Sequence, residues 1–453
     1  MTDLTPLIYL FEREGVLSTQ DIASELGIHR ATVTRQIKQL GNQVLRIGRG
    51  PQLRYCLRRE IPQMGTHWPI YRVDESGSTS LVGTLSALRG NLWHVDLASE
   101  MPSLVYGEFK NGIFPGLPWF LNDMRPQGFL GRSFAKRVES EWHFPGNPDD
   151  WNHDQVLFSL IRAGSDLPGA FIIGDQGVRD FFERHRQAID SSDVITEFPR
   201  LVSESIELGV AESSAGGDQQ KFTISIQDKN DSLQRQLVKF SPKLESPVGI
   251  RWADLLRAEQ AASLFLRQLD VIPASSSILS LENRLYLCVD RFDRTPDGGR
   301  RAVVSLRSFD AAYYGNGNMP WHEVATLLHR DGWLNDRDAE SIRRVHWFGE
   351  FIGNTDMHYG NLSFFLEPDR PLSLTPIYDM LPMRFRPSPQ GELPDTSIGP
   401  TIPTPIERES ATPAIEAALD YWNSVESDSD FSMGFRSNAA KSVEILSGIK
   451  KFL

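Results

Sequence analysis

Two carboxylates and an amide in the C-terminal half have the types and the spacing needed for chemistry on a phosphate. Asp356 and Asn361 form the pattern D-x-x-x-x-N in GNTDMHYGNLSFF, after a predicted helix, and Asp379 follows in PIYDMLPM. Phosphoryl transfer needs a carboxylate that orients the attacking hydroxyl, and an amide and a second carboxylate that bind Mg²⁺. The three residues therefore predict a phosphoryl-transfer site. His358 lies between the first two, where an imidazole could contact the γ-phosphate, although a structural role in tying the loop is favoured.

A glycine-rich turn upstream could cover a nucleotide. The run SSAGGDQQKFTISIQ places Gly216 and Gly217 before a predicted strand at 222–226, and a second predicted strand, LVKFS, contains Lys239. A lysine in an apolar strand needs an anionic partner, because burying an unpaired charge is costly. Kinases grip nucleotide phosphates with such a loop and lysine. The signal is weak by itself, since a strand lysine commonly extends its ammonium group to water.

Two further segments fit the same interpretation. A helix predicted at 252–269 contains Glu259 among alanines, where it could pair with Lys239; a solvated helix glutamate is the alternative. The next predicted strand pair ends in the apolar stretch 285–289, and the adenine of a nucleotide commonly contacts the backbone where such a strand ends. Val289 is therefore a candidate contact for the adenine.

The chain that contains these residues is too long to fold around a single hydrophobic core. With 453 residues, two to four domains are expected. A hydrophobic fraction of 40% and a charged fraction of 23% are typical of a soluble globular protein. No apolar run in the sequence approaches the roughly 20 residues that span a membrane. Two distant cysteines, Cys56 and Cys288, form neither a disulfide framework nor a zinc site. These features predict a cytoplasmic location without a membrane partner.

The N-terminal segment is basic, whereas the net charge of the chain is −12. Residues 27–59 contain eight arginines and lysines and no acidic residue, and such a block usually has a partner. Helices are predicted at 4–14, after Ser18, and at 29–40, followed by two strands, VLRI and LRYCLRR, around a Gly-Pro turn. This order predicts a winged helix-turn-helix that binds double-stranded DNA, which would associate the chain with the nucleoid. A basic face that is solvated, or that docks on the acidic remainder, is the alternative. The predicted DNA contacts lie on the third helix and the wing: Arg30, Thr32, Thr34, Arg35, Lys38, Arg46, Arg49 and Arg54.

Between these regions the sequence predicts a scaffold. Short strands with Gly and Pro turns are expected from residue 62 to 138, and helices between 150 and 190. Asp123 stands near Arg125 and Arg132 in an aromatic segment. A packed corner with a satisfied Asp–Arg pair is favoured there over a ligand pocket.

From residue 62 to its end, the chain resembles the HipA family of bacterial serine/threonine kinases, and most of all its YjjJ-like members with a fused N-terminal helix-turn-helix. The resemblance is carried by WFLNDMRPQGFLGR, SSAGGDQQKF, LVKFS, VDRFDR, GNTDMHYGNLSFF and IYDMLP, in this order. It implies an α+β chain in which the winged helix precedes a two-lobed kinase fold. The expected bounds are 1–62 for the DNA-binding domain, 63–290 for a β-rich N-lobe and 291–453 for a helical C-lobe.

The resemblance also implies roles for the site residues. Asp356 would be the catalytic carboxylate, with Asn361 and Asp379 as Mg²⁺ ligands. Lys239 would bind the nucleotide phosphates, and Glu259 would position it. Further implied contacts with ATP are Gly216, Gly217, Gln219, Lys221, Val289 and His358.

The family's loop pattern S-x-x-G-x-Q-x-K begins in this chain at Ser214 and ends at Lys221. Ser214 then matches the serine that family members autophosphorylate, and the neighbouring Ser213 leaves that assignment open by one residue. The family often has proline before the loop lysine, whereas this chain has Gln220.

HipA-type kinases are toxins of toxin–antitoxin systems, and their known targets include aminoacyl-tRNA synthetases. The resemblance implies a kinase that uses ATP and Mg²⁺ to phosphorylate a cellular protein, with such a synthetase as a candidate substrate. A separate antitoxin and a second copy of the chain are candidate partners, and the DNA module would provide autoregulation. The alternative is a transcriptional regulator whose kinase-like domain senses a ligand without phosphorylating protein. A small-molecule kinase would explain neither the DNA module nor the loop, and the intact set of site residues disfavours a pseudokinase.

Overall fold

A computed structural model gives the fold of the 453-residue chain. The structure describes residues 3–98, 109, 111–184, 188–207, 219–227, 232–317, 319–367, 369–394 and 396–453. Residues 213–218 of the predicted glycine-rich loop lie outside these ranges, and with them the candidate residues Ser213, Ser214, Gly216 and Gly217. The described part combines helices with four β-sheets, in agreement with the predicted α+β class.

Three short helices and a two-stranded sheet form the N-terminal unit. Their bounds are α1 Thr5–Glu14, α2 Thr19–Leu26, α3 Arg30–Leu40, β1 Val44–Ile47 and β2 Arg54–Leu57. The second helix begins where the sequence predicts, because Ser18 and Asp21 each accept a hydrogen bond from the other's backbone N–H. It ends at Gly27, which has the left-handed conformation that glycine adopts without strain. Apolar residues from all five elements give this unit a core of its own.

The N-terminal unit also packs against the domain that follows it. Arg59 donates two guanidinium hydrogen bonds to Asp154, at 2.5 and 2.8 Å. Ile47 and Cys56 of the two strands share a second apolar cluster with Leu88. Apolar and ionic contacts therefore join the N-terminal unit to the middle domain.

The middle domain is a five-stranded antiparallel sheet accompanied by three helices. The strands, in the spatial order β6-β5-β4-β3-β7, are β3 His67–Val73, β4 Thr79–Ala87, β5 Trp93–Leu97, β6 Ile113–Phe114 and β7 Phe171–Ile173. The helices are α4 Gly128–Trp142, α5 His153–Ala163 and α6 Gly174–Arg184. Strand β7 lies where a loop was expected between two predicted helices. The strand was missed because a buried run of three apolar residues is too short to show a period.

A second five-stranded sheet follows. Its strands, in the spatial order β11-β12-β10-β9-β8, are β8 Ile189–Asp190, β9 Lys221–Gln227, β10 Leu233–Phe240, β11 Ser276–Leu281 and β12 Arg284–Asp290. Two helices pack against it, α7 Val194–Glu207 and α8 Pro247–Gln268. Apolar residues of α7 pack on one face of the sheet, and those of α8 pack on the other. The range 63–290, predicted as one lobe, thus contains two separate sheets.

Helices dominate the C-terminal region, with one small sheet. The strands are β13 Val303–Ser305, β14 Ser363–Phe365 and β15 Ser373–Leu374, and the helices are α9 Leu306–Tyr313, α10 Trp321–Arg330, α11 Asp336–Ile352, α12 Arg408–Ser427 and α13 Met433–Lys450. The largest apolar cluster of the molecule extends from the middle domain into these helices. Among the described residues, none of the helices has both the length and the apolar character that crossing a membrane requires.

The side chain of Asp123 forms hydrogen bonds with the C-terminal region and not within its own segment. Its carboxylate accepts hydrogen bonds from the backbone N–H of Ser305 at 2.7 Å and from the hydroxyls of Ser305 and Ser308 at 2.6 and 2.8 Å. Ser305 is the N-cap of α9, so Asp123 supports the start of that helix. Its segment is a packed corner, as predicted, with Trp119 and Phe120 buried. The predicted Asp–Arg pair is wrong, because serines are the partners of the Asp123 carboxylate. The serine partners could not be anticipated, because they lie far away in the chain.

Candidate active site

Lys239 lies at the centre of the candidate active site, on the middle strand of the second sheet. Its side chain is only 3% exposed, because neighbouring strands flank it and α8 covers it. The ammonium group donates hydrogen bonds to both carboxylate oxygens of Glu259, at 2.6 and 2.7 Å, and to the carboxylate of Asp379. These three residues, which we call the Lys239 triad, form a buried arrangement in which one cation joins two carboxylates.

Helix α8 positions Glu259 in the triad. The hydroxyl of Ser246 accepts a hydrogen bond from the backbone N–H of Gly249 at 3.0 Å, and Pro247 occupies the first helical position, where its missing N–H costs nothing. The first turn lies so close to the preceding loop that a Cβ at Gly249 would be 1.9 Å from the carbonyl oxygen of Lys243. The cap at Ser246 and the close contact at Gly249 together fix the first turn of α8. They thereby fix the position of Glu259, which lies further along the same helix.

Burial and charge act in opposite directions within the Lys239 triad. Burial by itself lowers the pKa of Lys239, but the carboxylates of Asp379 and Glu259 outweigh it, so that pKa lies above the ordinary lysine value. Burial raises the pKa of Glu259. Burial also favours a higher pKa for Asp379, but the charges of Lys239 and Lys221 hold that pKa below its usual value. At neutral pH the triad therefore contains a charged ammonium group beside an ionised Asp379.

The loop after α11 presents Asp356 and Asn361. The helix ends at Gly353, which has a left-handed conformation, and the next side chain, Asn354, is buried. The Oδ1 atom of Asn354 accepts a hydrogen bond from the backbone N–H of Asp356 at 3.0 Å. The side-chain amide of Asn361 donates to the carbonyl oxygen of Asp356 at 2.9 Å. The D-x-x-x-x-N pattern thus closes a compact loop in which the Asp356 side chain is half-buried and Asn361 is buried.

Asp379 is held in a left-handed backbone conformation, with φ of 55°. A non-glycine residue adopts this conformation at a cost, and such strain concentrates at functional sites. The side-chain amide of Asn354 donates to the carbonyl oxygen of Asp379 at 3.2 Å. The neighbouring Tyr378 hydroxyl donates to the carbonyl oxygen of Gly360 at 2.9 Å. The segment that contains Asp379 is therefore tied to the loop that contains Asp356 at two points.

The candidate metal ligands suit Mg²⁺ by their chemistry. Asn361 uses its NH₂ group within the loop, which leaves its side-chain carbonyl oxygen for a cation, and Asp379 supplies a carboxylate. Mg²⁺ commonly takes one or two protein oxygens and completes its shell with waters and substrate phosphates. The described part of the chain contains no group of three or more His, Cys, Asp or Glu residues able to hold a metal. With one amide oxygen and one carboxylate as its candidate protein ligands, a bound Mg²⁺ would take further ligands from water and nucleotide phosphates.

The other described residues with predicted nucleotide roles surround the triad. Lys221 is the cross-strand partner of Lys239, so the two side chains share one face of the sheet. Gln219 donates from its side-chain amide to a β10 carbonyl oxygen at 2.8 Å. Val289 is half-buried at the end of β12. His358 is exposed, and its Nδ1 atom accepts a hydrogen bond from the backbone N–H of Gly360 at 3.0 Å. This contact joins two residues of the same loop.

Sequence reasoning missed three residues of this site. Asn354 and Tyr378 connect the two loops, and Arg307 of α9 approaches the Nδ1 atom of His358 with its Nη2 atom at 3.5 Å. The role of Asn354 could have been predicted from the sequence, because an asparagine that follows a helix often accepts a hydrogen bond from the backbone N–H two residues later. Tyr378 and Arg307 had none, since their partners lie in other elements.

The predicted DNA contacts lie on α3, on strands β1 and β2, and, in the case of Arg49, on the turn between these strands. Thr32 and Arg54 are half-buried, and Arg54 donates to the carbonyl oxygen of Pro51 at 3.2 Å. The other predicted contacts are exposed: Arg30, Thr34, Arg35, Lys38, Arg46 and Arg49. The unit therefore presents five exposed cationic side chains from this set.

Two known sequence families match most of the chain. Residues 64–182 match the family described as "YjjJ-like toxin, middle domain", and residues 213–441 match the "HipA-like C-terminal domain". Toxin YjjJ of Escherichia coli (strain K12) is 30% identical over 455 residues, which cover 100% of this chain and 98% of that protein. Neither family match includes residues 1–63.

Solved structures resemble the fold at low sequence identity. A chain of the complex of HipA, HipB and operator DNA from the Shewanella oneidensis MR-1 toxin–antitoxin system aligns with a TM-score of 0.53 and 16% identity. That alignment covers 84% of this chain and 97% of the other. The Helicobacter pylori proinflammatory kinase CtkA aligns with 52% of this chain and 91% of its own at 12% identity, and its TM-score of 0.35 is too low to support a comparison.

The full-length relative and the two family matches agree with the motifs from which the resemblance was predicted. The segments SSAGGDQQKF, LVKFS, VDRFDR, GNTDMHYGNLSFF and IYDMLP fall within the matched range 213–441. The chain belongs to the family of HipA-like toxins, and within it to the YjjJ-like group.

Proposed function

We propose that this chain is an ATP- and Mg²⁺-dependent serine/threonine protein kinase that acts as a toxin. The observation that carries the proposal is the Lys239 triad. Kinases bind nucleotide phosphates with a strand lysine that is paired with a helix glutamate. Burying three charged groups is a poor way to stabilise a fold, because their desolvation offsets most of their attraction. A site that binds polyphosphate explains the triad better than a structural role does.

Each site residue has a distinct task in this proposal. Lys239 binds the nucleotide phosphates, and Glu259 positions its ammonium group. Asp356 accepts a hydrogen bond from the substrate hydroxyl and orients it toward the phosphate. Asn361 and Asp379 would hold Mg²⁺, which neutralises the phosphate charges when bound. The proposal extends nucleotide contacts to a further set of residues: Gly216, Gly217, Gln219, Lys221, Val289 and His358.

The substrate hydroxyl belongs, in this proposal, to a serine or threonine of a cellular protein. An aminoacyl-tRNA synthetase is the candidate that the family resemblance supplies, and blocking translation would account for toxicity. Ser214 or Ser213 of the glycine-rich loop is the proposed autophosphorylation site. A separate antitoxin is a candidate partner, because the HipA of the structural comparison is recorded with HipB and operator DNA.

The first experiment measures transfer of radiolabelled phosphate from ATP with Mg²⁺ by the wild type and by Asp356→Ala, with mass spectrometry of the loop before and after. Asp356→Asn is the conservative companion, because it keeps the size of the side chain. Label on Ser213 or Ser214 that is lost in both variants is the expected result.

An unlabelled chain that binds ATP and carries no phosphate at the start would contradict the kinase proposal. The ligand-sensing transcriptional regulator would then be the better description. A loop that is already phosphorylated would instead show that the kinase had inactivated itself, and phosphatase treatment before the assay would restore labelling.

The N-terminal unit is proposed to bind double-stranded DNA through α3 and the β1–β2 sheet. Its support is the set of exposed cationic side chains, because phosphate contacts supply most nonspecific affinity and make it depend on salt. Arg35→Ala should weaken DNA binding in a gel-shift titration and reduce the salt dependence by about one phosphate contact. Arg179→Ala, an exposed arginine of α6, is the matched control.

A point substitution is a better test than removing residues 1–62. Deletion would expose Leu88, which packs against Ile47 and Cys56. It would also remove Arg59, the ion-pair partner of Asp154. Equal DNA affinity of Arg35→Ala and Arg179→Ala across several salt concentrations would refute the proposed interface.

A further inference from the structure

The first turn of α9 is fixed against the loop at residues 356–361, which contains the D-x-x-x-x-N pattern. The backbone N–H of Leu306, the first residue of the helix, donates to the carbonyl oxygen of Leu362 at 2.7 Å. Strand β13, which leads into the helix, also pairs with strand β14, which follows the loop. The second residue of the helix, Arg307, therefore has a defined position beside the loop.

The guanidinium group of Arg307 lies against the 356–361 loop. Its Nη2 atom is 3.5 Å from the Nδ1 atom of His358, and a Cβ atom at Gly360 would lie 2.9 Å from the same Nη2 atom. On its other side, the Nη1 atom donates to the side-chain oxygen of Gln127, the residue before α4, at 3.3 Å. Because glycine has no Cβ, the residue at 360 allows this close approach of the guanidinium group to the loop.

These contacts use only part of the hydrogen-bonding capacity of Arg307. A guanidinium group has five N–H donors, and both of its side-chain contacts are long hydrogen bonds to uncharged acceptors. The Nδ1 atom of His358 already accepts a hydrogen bond from the backbone N–H of Gly360 at 3.0 Å. Within the described part of the chain, Arg307 forms no ion pair with a carboxylate.

The carboxylates on neighbouring elements form their hydrogen bonds with other groups. Asp123 accepts from two serines at the start of α9. Asp310, which lies one turn further along the helix, accepts from two backbone N–H groups after its end, at 3.1 and 2.9 Å. Asp379 binds Lys239. These acidic groups offset positive charge in the region, so what distinguishes Arg307 is its set of unused donors and not an excess of charge.

The loop that Arg307 contacts borders the proposed position of the γ-phosphate. In the proposed function, Asp356 orients the hydroxyl that attacks this phosphate, and Asn361 helps to hold Mg²⁺ against the phosphates. The γ-phosphate must then lie near both ends of the loop, whose middle Arg307 contacts. Burial raises the pKa of the Tyr378 hydroxyl, the charge of Asp379 raises it further and that of Arg307 opposes the rise. Arg307 and Asp379 therefore act on the same buried group.

We propose that Arg307 binds an oxygen of the γ-phosphate of ATP from the side of the 356–361 loop, and so distinguishes ATP from ADP. This inference rests on the proposed kinase function and adds a cation from α9 to it. Guanidinium groups bind phosphate oxygens through charge-assisted hydrogen bonds, which two of their N–H groups can form together. The phosphate would replace water on the exposed side of Arg307.

Isothermal titration of the full chain tests the inference, with Mg²⁺ present and after phosphatase treatment. It compares ADP with an ATP analogue in which an imido bridge between the β- and γ-phosphorus atoms prevents transfer. Arg307→Gln should bind the analogue about tenfold more weakly than the wild type and ADP within about twofold, because the lost hydrogen bond exists only where a γ-phosphate is present. Arg179→Gln is the matched control, since this exposed arginine of α6 also donates to a glutamine side chain, at 2.7 Å. It should leave both affinities unchanged.

The outcomes separate this inference from the function on which it rests. A wild type that does not bind the analogue would refute the proposed kinase and, with it, the role of Arg307. Binding by the wild type, with equal effects of Arg307→Gln on the analogue and on ADP, would overturn the inference alone. Unchanged affinities with slower labelling of the glycine-rich loop would show that Arg307 contacts the segment that carries the hydroxyl, and would also overturn it. If Arg307→Gln does not fold, Arg307→Met decides by the same comparison of the two ligands.

Discussion

Replacing Lys239 by methionine should destabilise the chain, and the loss should depend on pH. Methionine fills a similar volume, so the cavity left behind contributes little. The substitution leaves the buried carboxylate of Glu259 beside the partly buried carboxylate of Asp379, without a cation between them. The effect therefore reports on the charge of the Lys239 triad more than on its packing.

The size of the loss follows from burial. The side chains of Lys239 and Glu259 are 3% and 8% exposed, so water screens their interaction little, whereas Asp379 at 25% is partly screened. Breaking a buried ion pair by removing one partner costs about 3–5 kcal/mol. We expect a loss within this range at pH 7.

The two proteins lose stability with rising pH in different pH ranges. In the wild type the raised pKa of Lys239 stabilises the fold below the ordinary lysine pKa of about 10.4, and this stabilisation is lost as pH rises through the raised value. In the variant the buried carboxylates take up a proton more readily when folded than when unfolded. The deficit in stability should therefore shrink as the pH falls from 7 toward 5.

Urea unfolding, followed by tryptophan fluorescence at several pH values, measures this difference. Lys243→Met is the control, because this exposed lysine stands in the loop before α8 and should change stability by less than about 0.5 kcal/mol. A second variant, Lys239→Met with Glu259→Gln, should recover part of the loss, since it removes one unpaired carboxylate. Equal midpoints for Lys239→Met and Lys243→Met at pH 7 would refute the description of the triad as a buried charged cluster.

Three further substitutions test the elements that position the site. Gly249→Ala should destabilise α8 by about 1–3 kcal/mol through overpacking, whereas Gly434→Ala, where a Cβ meets nothing within 4 Å, should be neutral or stabilising; equal thermal midpoints would contradict the close contact. Asp123→Ala should lower the free energy of unfolding by about 0.5–2 kcal/mol, as the loss of a helix cap does, and should speed hydrogen exchange in the first turn of α9. Unchanged exchange in that turn would contradict the support of α9 by Asp123. Arg59→Ala removes a partly exposed ion pair with Asp154, so stability should fall by only about 0.2–1 kcal/mol. Limited proteolysis should nevertheless release the N-terminal unit faster from this variant than from the wild type. Equal cleavage rates would argue against the packing of this unit on the middle domain.

The local elements of the fold were largely predictable from the sequence. The capping box at Ser18 and the glycine at 27 mark the ends of α2 because their hydrogen bonds lie within one turn of the chain. Strands β9, β10 and β12 were recognisable as apolar runs bounded by polar turns. Strand β7 was missed, and the separation of 63–290 into two sheets was not foreseen. Both depend on pairing between distant segments, which no local period reveals.

The candidate site shows the same division between local and distant information. The sequence by itself determined which residues have suitable chemistry, since D-x-x-x-x-N and a strand lysine are local patterns, and the family followed from their order. Only the tertiary structure decided that Lys239 bonds Asp379, 140 residues away, as well as Glu259. The physical reason is that burial and the balance of neighbouring charges set the behaviour of an ionisable group, and both arise only when distant parts of the chain pack together.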